Sequence, residues 1–236
     1  MTTGRYLLIF LLFILISPVI AEDGNIFFRE DFNGLESWKP LEFPKIKRHS
    51  RYSTERDGNE SYLKAESNAS ASGIVFRKTF NVFDYPRVRW RWKIRNVYKK
   101  GDTESRAGDD YPARIYIMFK YDPDKVSPGE RIKYSLIRAI YGTEPPYNGL
   151  NYIWANRKHY RDIIPNPYVP ESKMIILQSG DENAGRWLEQ EVNIIEDYRK
   201  AFGKDPPASA GLAIMNDSDD TEESSVSYID YIEIYR

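Results

Sequence analysis

The stretch Arg87-Val88-Arg89-Trp90-Arg91-Trp92-Lys93-Ile94-Arg95 alternates without a break between cationic and apolar side chains. Successive side chains of a β-strand point to opposite faces, so Val88, Trp90, Trp92 and Ile94 share one face and the five cations share the other. Helical spacing would scatter the four apolar residues around the axis. A chain carrying this segment must build a sheet with one dry and one wet face. Two tryptophans on the dry side place that face between two sheets.

The same period of two recurs along the chain. It predicts further strands at 26–32, 45–52, 61–66, 72–80, 113–120, 150–155, 173–178, 187–193, 210–215 and 226–235. Turn pairs such as Asp57-Gly58, Gly101-Asp102, Asn148-Gly149 and Ser179-Gly180 separate them. Two helices interrupt the pattern. Ser127-Pro128-Gly129-Glu130 reads as a capping box with proline at the first helical position, followed by Ile132, Leu136, Ile137 and Ile140 at helical spacing. Ile195 to Phe202 forms the second, closed by Gly203 with Pro206-Pro207 beyond. Strands without alternating helices predict a mostly-β fold, an antiparallel two-sheet β-sandwich of jelly-roll-like form with one or two short helices.

Residues 1–21 read as a signal peptide. Arg5 precedes an eleven-residue apolar run, Tyr6 to Ile16, and Val19-Ile20-Ala21 supplies the small-residue cleavage pattern. That run falls short of the roughly 20 residues a spanning helix needs, and the rest of the chain offers no membrane span. Residues 22–236 are then a single domain in the periplasm or outside the cell. The chain has no cysteine, which excludes disulfides, thiol catalysis and cysteine-ligated zinc, and points an exported chain of this size to a bacterial envelope. A net charge of −1 argues against nucleic acid as a partner.

Hard oxygen ligands gather in Asn216-Asp217-Ser218-Asp219-Asp220-Thr221-Glu222-Glu223, a loop composition that suits Ca²⁺. The spacing is not that of an EF-hand, because the glycine is missing and Tyr228 stands where the bidentate glutamate belongs. A solvated acidic loop is the plainer account. Asp109-Asp110, before Tyr111-Pro112, is a second acidic pair. The cations of 87–95 can track an acidic polysaccharide, but a wet face laddered against Glu189 and Glu191 accounts for them as well. Tyr152 and Trp154 share one side of their strand, and with Asn166 and Tyr168 they offer rings and amides to a sugar; core packing is the competing role for Trp154.

Catalytic patterns are missing. His49 and His159 are the two histidines, neither in a zinc-ligand spacing, and there is no H-E-x-x-H, G-x-S-x-G or phosphate-loop sequence. The closely spaced Glu-x-Asp-x-x-Glu strand of sandwich-fold glucanases is also absent, and Glu189-Gln190-Glu191 is a poor substitute.

Several stretches carry a resemblance. They run from Gly108-Asp109-Asp110-Tyr111-Pro112-Ala113-Arg114-Ile115-Tyr116 through Asn151-Tyr152-Ile153-Trp154-Ala155, Asn166-Pro167-Tyr168, Lys173-Met174-Ile175-Ile176, Ser179-Gly180 and Gly185-Arg186-Trp187. Asp197 to Gly203 and Ala213 to Thr221 complete the set, across residues 75–235. In this order they resemble a group of bacterial exported proteins, the domain of unknown function 3047. Asn216, Ser218 and Asp220 depart mildly from that pattern, which favours Thr, Thr and Asn there. The resemblance implies an exported β-sandwich and supplies neither an activity nor a site.

The reading that follows is an exported, non-catalytic binding domain for a glycan or another polar small ligand. A polysaccharide-processing enzyme of glycosidase or lyase type on the same fold, or a structural envelope protein, are the alternatives. The candidate ligand-binding residues are Asp109, Asp110, Arg114, Tyr152, Trp154, Asn166, Asp217 and Asp219, and Ca²⁺ is the one cofactor the loops suggest. Asp109, Asp110 and Arg114 meet Asp217, Asp219 and Trp154 at one sandwich end only if the strand after Asp110 and the strand before Asp217 are antiparallel neighbours. Arg114 then either holds an anionic group or pins the acidic loop.

Overall fold

The computed structural model describes residues 25–131, 135, 146–159 and 162–236. The signal-peptide segment and most of the helix expected after Ser127 lie outside them. Fourteen strands in two sheets make up the described chain. The six-stranded sheet contains β1 (Ile26–Glu30), β3 (Arg51–Asp57), β4 (Glu60–Asn68), β7 (Arg87–Ile94), β12 (Leu188–Asn193) and β14 (Ser224–Tyr235), in the order β12-β7-β14-β4-β3 with β1 also on β14. The eight-stranded sheet contains β2 (Trp38–Leu41), β5 (Ala71–Phe76), β6 (Phe80–Asn81), β8 (Arg114–Phe119), β9 (Asn148–Ala155), β10 (Ile163–Pro165), β11 (Ser172–Ser179) and β13 (Ser209–Asp217). Its order is β10-β11-β9-β8-β13-β5-β2, with β6 also on β13. The protein is a mostly-β, jelly-roll-like sandwich whose pairings are antiparallel except for β9 with β11.

The alternating stretch is β7, and its parity is the one expected. Trp90 and Trp92 are fully buried between the sheets, where Trp90 meets Tyr152 and Trp92 meets Trp154 across the core at ring separations of 5.7 and 5.8 Å. On the wet face Arg87 pairs with Glu191, Arg89 with Glu233 and Arg91 with Asp230. Facing β7, β14 shifts register between Ile229 and Tyr231, and the extra residue is Asp230. This bulge keeps Ile229, Ile232 and Ile234 all in the core although their spacing in sequence is uneven.

Asn216 of β13 ties the sheets together. Its amide donates to the Ala65 carbonyl at 3.0 Å and to Ser227 Oγ at 3.2 Å, both in the opposite sheet, and its Oδ1 accepts from Tyr98 Oη at 3.1 Å. The helix α1 (Ile194–Phe202) starts on Asn193, whose side chain accepts from the amides of Ile195 and Glu196, and ends on Gly203 at φ 70°. At the start of the other expected helix, Ser127 and Glu130 exchange capping-box hydrogen bonds.

Two expectations are corrected. The strand set at 45–52 begins only at Arg51, because 42–50 runs as turns before β3 pairs with β4. The strand set at 72–80 divides into β5 and β6. Two short strands were not expected at all: β2, which carries Pro40 on a sheet edge, and β10, which ends on Pro165.

Candidate functional site

β13 runs antiparallel to β8, with Met215 opposite Arg114. The loop that enters β8 and the loop that leaves β13 therefore emerge at the same end, and Asp109 and Asp110 meet Asp217 there. Arg114 is at the centre. Its Nε donates to Asp217 Oδ1 at 2.7 Å, and its Nη2 donates to Asp217 Oδ2 and to the Asp109 carbonyl oxygen. Nη1 reaches Tyr116 Oη at 3.3 Å and lies 3.8 Å from Asp109 Oδ1. With 2% of its side chain exposed, this guanidinium has four of its five N–H groups in internal hydrogen bonds, and the fifth, on Nη1, lies on the side of Asp109 Oδ1. Of the two roles open to Arg114, the contacts match the pinning of the loop.

The acids outnumber the cation. Asp109, Asp110 and Asp217 are all buried, and Asp219 and Asp220 stand half-buried beside them. Asp110 Oδ2 accepts from the Thr221 amide at 2.6 Å, while the Asp110 carbonyl accepts from Asn156 Nδ2 at 2.6 Å. Asp110 Oδ1 and Thr221 Oγ1 are buried without a hydrogen-bond partner among the described residues. One carboxylate oxygen from each of Asp110, Asp217 and Asp219 lies within 4.8 Å of the other two. Burial drives the Asp217 carboxyl well above its ordinary range; Arg114 opposes this, and neighbouring Asp110 adds to it. Burial likewise raises Asp219, with Asp110 and Asp220 pushing the same way. Ala69 and Glu222, flanking this loop system, both sit in the left-handed region, at φ 47° and 58°.

Asn166 joins the cluster from a third chain segment. Its Nδ2 donates to Asp109 Oδ2 at 3.3 Å, and its Oδ1 accepts from the amides of Tyr168 and Val169. Exposed Tyr168 then donates to Asp220 Oδ1 at 2.7 Å.

Tyr152 and Trp154 do not join it, and the expectation that they stack on a ligand there is corrected. Residues directly opposite in a sheet point to the same side, and Arg114 is paired with Ile153. The neighbours of Ile153 in sequence must point the other way. Both rings are fully buried in the inter-sheet core, with Tyr152 Oη donating to Asp197 and Trp154 Nε1 donating to the Gly180 carbonyl. Ile153 instead packs with Tyr111, Ala155, Ile164 and Met174 in a small core on the outward side of the eight-stranded sheet, beside the acids.

A second surface, which takes in the wet face of β7, lies at the same end on the outward side of the six-stranded sheet. A groove of about 620 Å³ is lined by Arg48, Arg51, Glu66, Arg95, Asn96 and Ser224 among others. Moving two residues along each strand keeps to that face: Arg95 leads to Lys93, Val226 to Tyr228, and Glu66 to Lys64 and Tyr62. Here Tyr62, Trp187 and Tyr228 form a half-exposed aromatic group, with Lys93 Nζ 4.5 Å from the Trp187 ring centre and 4.7 Å from that of Tyr228. Unlike Arg87, Arg89 and Arg91, neither Lys93 nor Arg95 has a carboxylate within ion-pair distance among the described residues. Arg95 continuing the ladder past the paired arginines was the available signal. The sequence pattern places Arg48-His49-Ser50-Arg51 in a strand, and the structure turns it into the rim of the groove.

No curated protein matches the chain. Among solved structures it is similar to the enzymatically active domain of bacteriophage CBA120 tailspike protein 4, at 9% identity and a TM-score of 0.36 over 85% of this chain and 20% of that one. The chain therefore spans about a fifth of that protein's length. It is also similar to endoglucanase 3 of Trichoderma harzianum, from family GH12, at 6% identity and a TM-score of 0.39 over 92% of this chain and 100% of that one. A lectin of Bauhinia forficata in complex with GalNAc is similar at 10% identity and a TM-score of 0.40, covering 88% and 97%. Likeness of this degree transfers no chemistry. Residues 36–233 match the family described as protein of unknown function DUF3047, and the chain belongs to that family.

Proposed function

We propose that this DUF3047 protein is an exported, non-catalytic binding domain for an anionic glycan, bound along the outward face of the six-stranded sheet. The observation that carries the reading is the continuity of that face, from the groove of Arg48, Arg51 and Arg95 to the Tyr62, Trp187 and Tyr228 rings. A pocket of this size suits a ligand of a few sugar units, which requires both kinds of group. Rings stack on the apolar faces of sugars, and arginine forks hold carboxylate or sulfate. Three arginines against Glu66 leave the groove cationic, which selects acidic chains over neutral ones. Export rests on Arg5, the apolar run and Val19-Ile20-Ala21.

An array of neutral, uronic-acid and sulfated oligosaccharides, with product analysis of any that bind, tests this. Acidic glycans are expected to bind unchanged. Arg95→Ala should weaken them about tenfold, equivalent to about 1.4 kcal/mol, and Trp187→Ala comparably. Binding that is indifferent to both substitutions, or confined to neutral sugars, overturns the reading, and released products would replace the binder with an enzyme.

A further inference from the structure

We propose that Asp110, Asp217 and Asp219 form a binding site for a divalent cation, Ca²⁺, on the outward side of the eight-stranded sheet. It goes beyond the glycan reading and stands independently, since the two sites lie on opposite outward faces. Oxygens that share one Ca²⁺ at about 2.4 Å each are separated by at most about 4.8 Å. The three ligand atoms fall within 4.8 Å of one another.

Proximity of acids is not enough, and two further observations point to a ligand. Asp110 is fully buried, yet among the described residues its Oδ1 has no hydrogen-bond partner, and Thr221, whose amide holds the other oxygen of that carboxylate, has an unpartnered hydroxyl at 1% exposure. Buried polar atoms are ordinarily satisfied, so such orphans mark the place of a missing partner. The charge balance gives the partner its sign. Among the described residues Asp109, Asp110, Asp217 and half-buried Asp219 face one buried cation, Arg114; Lys100 donates to the Thr221 carbonyl, and Arg106 lies over Tyr168. A divalent cation offsets most of that excess negative charge.

Asp217 retains room for the ion. An ionised carboxylate offers about four lone-pair sites. Arg114 takes two and the Tyr111 amide one, leaving a place on Oδ2. Oxygen donors without histidine or thiolate favour Ca²⁺ or Mg²⁺ over zinc. An irregular set drawn from two loops suits Ca²⁺, because Mg²⁺ demands near-octahedral geometry.

The test is calorimetric titration of the purified, EDTA-treated chain with CaCl₂, MgCl₂ and ZnCl₂, together with melting curves. One Ca²⁺ per chain is expected, with a Kd on the order of 10⁻⁴ to 10⁻³ M, as in extracellular modules, and a raised melting temperature. Asp219→Asn should weaken Ca²⁺ about tenfold or more while leaving the melting temperature in EDTA unchanged, because Asp219 is half-buried and not held by Arg114. Asp110→Asn, which keeps an acceptor for the Thr221 amide, should also abolish the Ca²⁺ response. No heat with any ion, an equal response to Mg²⁺ or Zn²⁺, or undiminished Ca²⁺ binding by Asp219→Asn overturns the assignment. None of these readouts uses a glycan, so a failure here is separate from a failure of the ligand reading.

Discussion

Arg114 and Asp217 face each other from neighbouring strands as a two-pronged pair, Nε to Oδ1 and Nη2 to Oδ2, sealed from solvent and 103 residues apart in sequence. This pair joins the loop before β8 to the loop after β13, so whatever the loops do depends on it.

Arg114→Ala should therefore unfold the site rather than blunt a binding surface. Removing one member of a buried pair costs about 3–5 kcal/mol, because a buried charge loses its partner. Asp217 can take up a proton, which puts the expected loss at the lower end of that range. In urea melts the double mutant with Asp217→Ala should lose less than the sum of the two single mutants. Additivity would mean that the pair does not act as a unit.

Trp90→Ala should cost about 3–5 kcal/mol, since it empties the place where β7 meets Tyr152. Arg89→Ala should cost about 1 kcal/mol, because Arg89 is partly exposed and buried Glu233 keeps Arg29 at 2.9 Å. Chemical denaturation of the two variants compares them directly, and equal losses would contradict the assignment of the two faces.

Asn216→Ala should cost about 1–3 kcal/mol despite removing little apolar area, the cost of leaving a buried polar group unpaired. It removes the side-chain donor to the Ala65 carbonyl and one partner of the Tyr98 hydroxyl, which keeps Ser67 Oγ at 2.7 Å. A melting shift below that of an ordinary surface substitution would show that water replaces the amide.

The Glu130 carboxyl is held down at about 2 by the backbone and side chain of Ser127 and by the Tyr147 hydroxyl. A depressed folded value means that its contribution is present above the unfolded value near 4.5 and is lost as pH falls through about 2. Glu130→Gln does not titrate in that window. The gap in melting temperature between wild type and Glu130→Gln should hold above pH 4.5 and close towards pH 2, and a constant gap would contradict the capping contact.

The proposed export predicts cleavage between Ala21 and Glu22. Intact mass of protein recovered from outside the cytoplasm should correspond to residues 22–236, and a recovered chain still beginning at Met1 would refute it.

Local periodicity made much of the fold legible. Val88 to Ile94, the Asn193-to-Gly203 helix and the Ser127 box each carry their signal within a few residues. The shared end of the Asp109 and Asp217 loops was legible too, because it needs only an antiparallel pairing of two strands. The face was not. Whether Trp154 or Ile153 stands beside Arg114 depends on the register of β8 on β9, and one residue of slip exchanges them. β2 and β10 are too short, and too interrupted by proline, to show a period. The cationic groove joins residues 48–51, 66–70, 95–96 and 224–226, which no local pattern connects.

The place of β14 has a consequence in time. It lies between β7 and β4 and also takes β1, so every strand of the six-stranded sheet except β3 and β12 is joined to it directly. Arg29 and its partner Glu233 are 204 residues apart. At synthesis rates of about 5–20 residues per second, Arg29 leaves the ribosome roughly 10–40 s before Glu233. Through that interval β1, β4 and β7 have no central strand, and the dry faces of Trp90 and Trp92 lack half of their floor. This sheet closes only after β14 has emerged, and a chaperone that binds exposed β-edges has its longest opportunity before then.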